Sequence, residues 1–134
     1  MHKNTRGFTL MELIIVMALL AIVAAILVPM FINTTDRARL RSDIQSARVI
    51  QNAIDLYRVE RGVSVQGNDM AAILENLDDA GYLNARNATL QTEGATWFRD
   101  AVRGVLVDIS ASPSSVRDVY QNLTVAEREM VRAP

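Results

Sequence analysis

A single carboxylate, Glu12, lies inside the most apolar part of the sequence. The segment that begins at Phe8 contains a run of 20 residues, Leu13 to Ile32, without a charged or strongly polar side chain. An ionised carboxylate in such a segment costs at least about 2–3 kcal/mol within a bilayer, so it needs a partner. Glu12 is therefore the first candidate for a functional charge pair.

The second chemically unusual feature is Gly7, which ends a short polar stretch that carries Lys3 and Arg6. A secretory signal peptide has its small-residue cleavage site after the apolar run. Here the glycine precedes that run. Cleavage after Gly7 would remove only the charged leader, residues 1–7, and would retain the apolar segment.

One long helix over residues 8–61 is expected to position these groups. Its apolar run would measure about 30 Å, which is enough to cross the hydrocarbon core of a bilayer. The range contains no glycine, and Gly62 is placed to end the helix in a left-handed conformation. Because Pro29 lacks an amide hydrogen, the carbonyl of Ala25 loses its usual partner, so we expect a local kink there.

The second half of this helix, residues 33–61, has the pattern of an amphipathic helix. Its apolar residues recur at spacings of three and four, as Leu40, Ile44, Ala47, Ile50, Ile54 and Tyr57. The remaining surface is expected to carry Arg39, Arg41, Asp43, Arg48, Asp55 and Arg58. Because a domain of about 70 residues without disulfides has a thin core, the apolar stripe is expected to form one wall of it.

Residues 62–134 are expected to form a small domain outside the cytoplasm, with short helices and a short antiparallel sheet. The predicted strands are Thr89–Gln91, Thr96–Phe98 and Val105–Ile109, with residues 99–104 left open as a turn or part of a short helix. Three short helices are predicted in this domain. The first is Met70–Asp79, capped by Asn68 or Asp69. The second starts at Ser112 with Pro113 in its first position, and the third runs from the capping box Thr124–Glu127 to about Arg132. Tyr82, Trp97 and Phe98 are expected in the core. The predicted fold class is α+β, with a long N-terminal helix, membrane-spanning over 8–32 and amphipathic over 33–61, packed on this domain.

The order of these pieces resembles the class III leader of type IV pilins and related pseudopilins. The resemblance is carried by Arg6-Gly7-Phe8-Thr9-Leu10-Met11-Glu12 and the apolar run that follows. It implies that a prepilin peptidase cuts between Gly7 and Phe8 and methylates the new amine of Phe8. Pro29 also matches a proline common in the family. Family members often have a helix-weakening glycine just before it, whereas Ala21–Ala25 here favours a local kink over an extensive melted segment.

The resemblance implies a structural filament subunit. Before assembly it would be a single-pass protein of the cytoplasmic (inner) membrane, and afterwards part of a cell-surface pilus or a periplasm-spanning pseudopilus. The implied partners are copies of itself, the prepilin peptidase, an inner-membrane assembly platform with its ATPase, and minor pilins. In the filament core, Glu12 would pair with the Phe8 amine of another subunit and fix the register. A pilin is the first interpretation, and a pseudopilin of a type II secretion or competence (DNA-uptake) system is the alternative.

Composition excludes several other classes of function. The 134 residues include 14 basic and 15 acidic side chains, and removal of Lys3 and Arg6 with the leader leaves 12 and 15. The arginines are interleaved with acids, so no nucleic-acid footprint is predicted. The chain has no cysteine. Because many pilins of Gram-negative bacteria carry a C-terminal disulfide loop, this favours a pseudopilin or another pilin lineage.

No catalytic group, cofactor or metal site is predicted. The one histidine, His2, lies in the predicted leader, and the sequence contains no phosphate loop or pairing of nucleophile and base. Asp78-Asp79 and Glu127…Glu129 are interpreted as solvated charge at helix ends. A single-pass sensor or binding domain is a remoter alternative that gives Glu12 and the Gly7–Phe8 junction no role. A secreted enzyme fits neither the cleavage position nor the lack of catalytic residues.

Overall fold

The structure is a computed structural model that describes residues 7–134 of the chain. Most of the predicted leader, including His2, Lys3 and Arg6, lies outside the described residues. Contacts within the chain define two compact units, Met1–Ile32 and Asn33–Pro134.

The long helix is confirmed. Helix α1 spans Leu10–Arg61, two residues shorter at its start than predicted, and the helical conformation continues through Pro29. The kink at Pro29 stays a prediction. Gly62 has the expected positive φ of 67°, and its amide donates to the carbonyl of Arg58 at 3.0 Å.

The apolar stripe of α1 forms a wall of the core in the second unit, as predicted. Its buried members are Leu40, Ile44, Ala47, Ile50, Ala53 and Ile54, and Tyr57 packs against them from the edge. They share one cluster with apolar residues of the C-terminal part, among them Leu77, Val105, Val107, Ile109 and Val116. The domain therefore uses this part of α1 to complete its core.

Asp43 is buried in this wall, so its predicted place on the surface is wrong. The residue is 0% exposed, and its two carboxylate oxygens accept the backbone amides of Gln91 and Thr92, each at 2.8 Å. These contacts also explain why residues 89–91 are not a strand. The amide of Gln91 donates to a side chain of α1 instead of a neighbouring strand.

The sheet has three strands in the order β1-β2-β3. Strands β1 (Thr96–Asp100) and β2 (Gly104–Asp108) form an antiparallel hairpin, in which Trp97 lies opposite Val107. The sequence leaves residues 99–104 open as a turn or part of a short helix, and in the structure they form the end of β1, a turn over 101–103 and the first residue of β2. Strand β3 (Val131–Arg132) pairs in parallel with β2, and the sequence did not predict it.

The three predicted short helices are present, and they differ from the predictions at the start of the second and at the end of the third. Helix α2 spans Met70–Asp79, and the Asp69 carboxylate accepts the amide of Ala72 at 2.8 Å. A 3₁₀ turn spans Ala85–Ala88. Helix α3 spans Ser114–Gln121, with Pro113 just before its first residue rather than in it. Helix α4 spans Val125–Glu129 and has the predicted capping box, but it ends before Arg132 because the chain turns into β3.

Two of the three aromatic residues expected in the core contact it. The Tyr82 ring packs edge-on against Tyr57 at a centroid distance of 5.3 Å. Trp97 packs against the core, and its Nε1–H donates to the carbonyl of Ala88 at 2.8 Å. Phe98 is outside this cluster. The guanidinium of Arg132 lies 4.2 Å from its ring centroid.

Arg132 also links β3 to β2 through an ion pair with Asp108 at 3.2 Å. Burial works against ionisation of Asp108, but hydrogen bonds from Ser110 and the charge of Arg132 outweigh it and hold the pKa of Asp108 below its usual range. Backbone hydrogen bonds from Val107 to Met130 at 3.0 Å and from Ile109 to Arg132 at 2.9 Å hold the short parallel strand, and the exposed ion pair adds little.

Candidate functional site: the N-terminal segment

The start of α1 is closed by a reciprocal contact between Thr9 and Glu12. The amide of Glu12 donates to the Thr9 hydroxyl at 3.2 Å, and the amide of Thr9 donates to Glu12 Oε2 at 3.4 Å. The carbonyl of Thr9 accepts the amide of Leu13 at 3.2 Å, as expected of a residue that precedes a helix. This is the pattern of a capping box.

The capping box gives Glu12 a partner that sequence reasoning missed. The signal was present, because Thr9-Leu10-Met11-Glu12 has the same Thr-x-x-Glu spacing as the box recognised at Thr124–Glu127. A carboxylate in the first turn is also favoured by the partial positive charge of a helix N-terminus. Within the described part of the chain, Glu12 binds only the start of its own helix.

The predicted cleavage junction lies just before this helix. Gly7 and Phe8 have no helical conformation, and Phe8 is 81% exposed. A Cβ built on Gly7 would meet no atom within 4 Å. An exposed peptide bond outside regular structure is the kind of substrate that a peptidase requires. The geometry is compatible with cleavage, which stays a prediction.

The helix that follows is uncovered over its apolar part. Among the described residues, α1 is the helix long and apolar enough to cross a membrane by length and composition, with a mean hydropathy of 3.1 in its most apolar window. Every residue from Gly7 to Ile32 is exposed. An apolar surface of this length requires lipid or other protein chains to cover it.

One member of the two acidic pairs, Glu127, has partners within the domain. In residues 7–134 no group of three or more His, Cys, Asp or Glu is arranged to hold a metal ion. Glu127 is engaged in its capping box and in a 2.9 Å ion pair with Arg41. Hydrogen bonds from Thr124 hold the pKa of Glu127 below its usual range.

The segment just described matches a known family by sequence. The family model described as "Prokaryotic N-terminal methylation motif" matches residues 2–28. A type II secretion system core protein G of Vibrio cholerae is 32% identical over 63 residues, which cover 47% of this chain and 42% of that protein. The type IV major pilin protein PilE of Neisseria gonorrhoeae is 33% identical over 73 residues, which cover 54% and 44%. A fimbrial protein of Neisseria meningitidis is 32% identical over 81 residues, which cover 60% and 48%.

These matches support the resemblance of the chain to type IV pilins and pseudopilins. The chain combines the matched methylation motif with a transmembrane-type helix and a C-terminal part of short helices and strands. The matched segments span less than half the length of each of these three relatives. No solved structure matches the chain significantly.

Proposed function

We propose that this chain is the structural subunit of a type IV pilus-like filament. The observation that supports this most is the order of groups at its N-terminus. An exposed Gly7–Phe8 junction precedes a capped helix start at Glu12 and then an uncovered apolar helix. The exposed junction serves processing, the apolar helix serves storage in the membrane, and Glu12 at the helix start serves polymerisation.

Assembly proceeds from the cytoplasmic membrane. The apolar part of α1 anchors the chain in the bilayer as a single pass, and a prepilin peptidase removes residues 1–7 and methylates Phe8. An inner-membrane platform and its ATPase then move the subunit into the filament, with minor pilins as further partners. A head-to-tail contact repeated by a non-closing rotation produces an open helix of identical subunits. None of these steps requires the chain itself to be an enzyme or to bind a cofactor.

Glu12 fixes the register of neighbouring subunits in this proposal. In the single chain its carboxylate caps α1, as the contacts with Thr9 show. In a filament core, the amine that processing creates on Phe8 of one subunit meets Glu12 of another. A lone carboxylate is strongly penalised in a low-dielectric core, whereas a paired one favours a single axial offset. The charge pair therefore selects one stagger from the many that apolar packing allows.

A pseudopilin is the second candidate function. The similarity to core protein G of type II secretion systems favours it as much as the similarity to PilE favours a pilin. Deletion of the gene separates these functions. Loss of surface filaments supports a pilus, loss of secreted proteins supports a secretion pseudopilus, and loss of DNA uptake supports a competence system.

The proposal predicts the mature N-terminus. Protein from its own host is expected to begin at Phe8 with a methylated amine, because Arg6-Gly7-Phe8 carries the prepilin pattern. Intact-mass measurement of the chain in the sheared filament fraction checks this. Gly7→Leu, which changes only the residue before the junction, is expected to retain the leader and to leave that fraction empty. A mature form that keeps residues 1–7, or that is cut beyond Ile32, would exclude a pilin-like subunit.

A further inference from the structure

A cleft lined by arginines lies between the second half of α1 and the β1–β2 hairpin. Its volume is about 290 Å³. Arg58 contributes from α1, and Arg99 and Arg103 contribute from the hairpin. Two aspartates, Asp55 and Asp100, also line it, so the arginines outnumber the acids.

The position of the hairpin against α1 is fixed by Gln51. Its Oε1 accepts the amide of Val105 at 3.1 Å, and its Nε2 donates to Asp55 at 2.9 Å. Gly104 has a φ of 83°, and a Cβ there would lie 2.5 Å from Gln51 Oε1. The positive φ favours glycine at this position, and the hydrogen bond of Gln51 holds the hairpin that carries Arg99 and Arg103 against α1.

Two of the three arginines have no neutralising partner in the described chain. Arg103 is balanced by Asp100 at 3.5 Å, and backbone amides of Arg103 and Val102 hold the pKa of Asp100 below its usual range. No hydrogen bond or ion pair of the Arg58 or Arg99 side chain occurs within residues 7–134. The cleft thus presents two free guanidinium groups, which bind carboxylates in a planar, two-pronged geometry.

A surface whose charge is opposite to that of the arginine cleft lies on α2. Glu75, Asp78 and Asp79 are exposed and lie at helical spacings of three and four, so they share one face. The last turn of α2 contains no basic residue, although the C-terminus of a helix disfavours negative charge. No ion pair joins these acids to an arginine anywhere in the described residues.

We propose that the arginine cleft of one subunit binds the acidic face of α2 of a second copy of this chain. The inference rests on the proposed filament and names one of its contacts. Charge complementarity selects the occupant, because each surface carries charge that its own chain leaves unpaired. The two surfaces lie on different elements, so the contact is heterologous, and a bound pair keeps one free cleft on one copy and one free acidic face on the other. Such a contact extends an open filament and does not close a dimer.

Charge reversal in the full chain tests the pairing. Arg58→Glu with Arg99→Glu is expected to reduce the sheared filament fraction at least about tenfold, because like charges then meet across the contact. Asp78→Arg with Asp79→Arg is expected to do the same, and the four changes together should restore filaments. The matched control is Arg48→Glu with Arg117→Glu, two exposed arginines outside the cleft, which should change nothing. All variants are compared at equal membrane amounts, so a folding defect is excluded.

Cysteine cross-linking tests the contact directly, because the natural chain has no cysteine. Filaments of Arg99→Cys with Asp79→Cys are expected to give a ladder of multimers on oxidation, whereas each single variant stays monomeric. Normal filaments from the charge-reversed cleft, no recovery in the combined variant, or filaments without a ladder would each overturn the inference. In those cases filaments of the natural chain still form. A natural chain that forms no filaments would contradict the proposed function itself.

Discussion

Two acidic residues of α1 show how the context of a side chain decides its role. The sequence indicated that Glu12 needs a partner, since a lone carboxylate adjoins 20 apolar residues. It did not lead to Thr9, although the Thr-x-x-Glu spacing was present. The capping contact is local, over three residues, and was therefore predictable. The proposed pairing with the Phe8 amine would involve another chain and a group that only processing creates, so no single chain displays it.

The charge of Asp43 predicts a surface position, whereas its spacing along α1 predicts a buried one. It lies three residues after Leu40 and four before Ala47, so it occupies the buried face of α1. Its partners, the amides of Gln91 and Thr92, are 48 and 49 residues away. Such a distant contact between a helix side chain and an irregular loop leaves no periodic signal in either segment.

Replacement of Asp43 is expected to destabilise the domain. Asp43→Ala leaves two buried or half-buried amides without an acceptor, at a cost of about 2–3 kcal/mol in unfolding free energy. Urea denaturation of a fragment spanning residues 33–134, the second compact unit, measures this. Asp118→Ala removes an exposed carboxylate and serves as the control, with a change within about 0.5 kcal/mol. Equal effects of the two substitutions would show that the Asp43 contacts are not stabilising.

The elements that were predicted correctly are those with a clear pattern in their own residues. The apolar spacing and the cap predict helix α2, and a run of β-branched residues predicts strand β2. Strand β3 has only two residues, too few to show a periodic pattern, and it is held by backbone hydrogen bonds to β2. Residues 89–91 have a composition typical of strands, but the backbone amide of Gln91 donates to the carboxylate of Asp43. Tertiary contacts overrode local preference in both cases.

The packing of α1 predicts which face of the helix carries stability. Ile50→Ala or Ile54→Ala is expected to lower the unfolding free energy by about 2–4 kcal/mol, because both side chains are buried and their truncation leaves a cavity. Val49→Ala is the matched control, since this neighbour is 53% exposed. Denaturation of the same fragment gives all three values. A change below about 0.5 kcal/mol at Ile50 and Ile54 would mean that this stripe is not the core wall.

At the scale of the whole molecule, the two units differ in how they cover apolar surface. Most of the buried apolar residues of the unit Asn33–Pro134 lie in one cluster. Residues 7–32 bury none, so their cover must come from lipid or from other chains. Run length alone revealed the uncovered segment in the sequence. The fold class of the domain was predictable from local patterns. The burial of Asp43, strand β3 and the irregular course of residues 89–91 were not, because they depend on contacts between distant residues.

A family of Glu12 variants separates helix capping from charge pairing. Glu12→Val and Glu12→Ala remove both the capping acceptor and the charge. Glu12→Gln keeps an acceptor that fits a capping box, but it has no charge for the Phe8 amine. All three variants are expected to be expressed, inserted into the membrane and cut after Gly7. The variants differ in the side chain that enters the filament core, which is apolar in Glu12→Val and Glu12→Ala and a neutral amide in Glu12→Gln.

The decisive measurement is the amount of sheared filaments, seen by electron microscopy and quantified from cells in which each variant is the sole copy. A register set by the charge pair predicts almost no filaments for Glu12→Val and Glu12→Ala, and an intermediate amount for Glu12→Gln. If Glu12 acted only as a cap, Glu12→Gln would assemble like the natural chain. Normal filaments in normal amounts from Glu12→Val cells would contradict the pairing of Glu12 with the Phe8 amine.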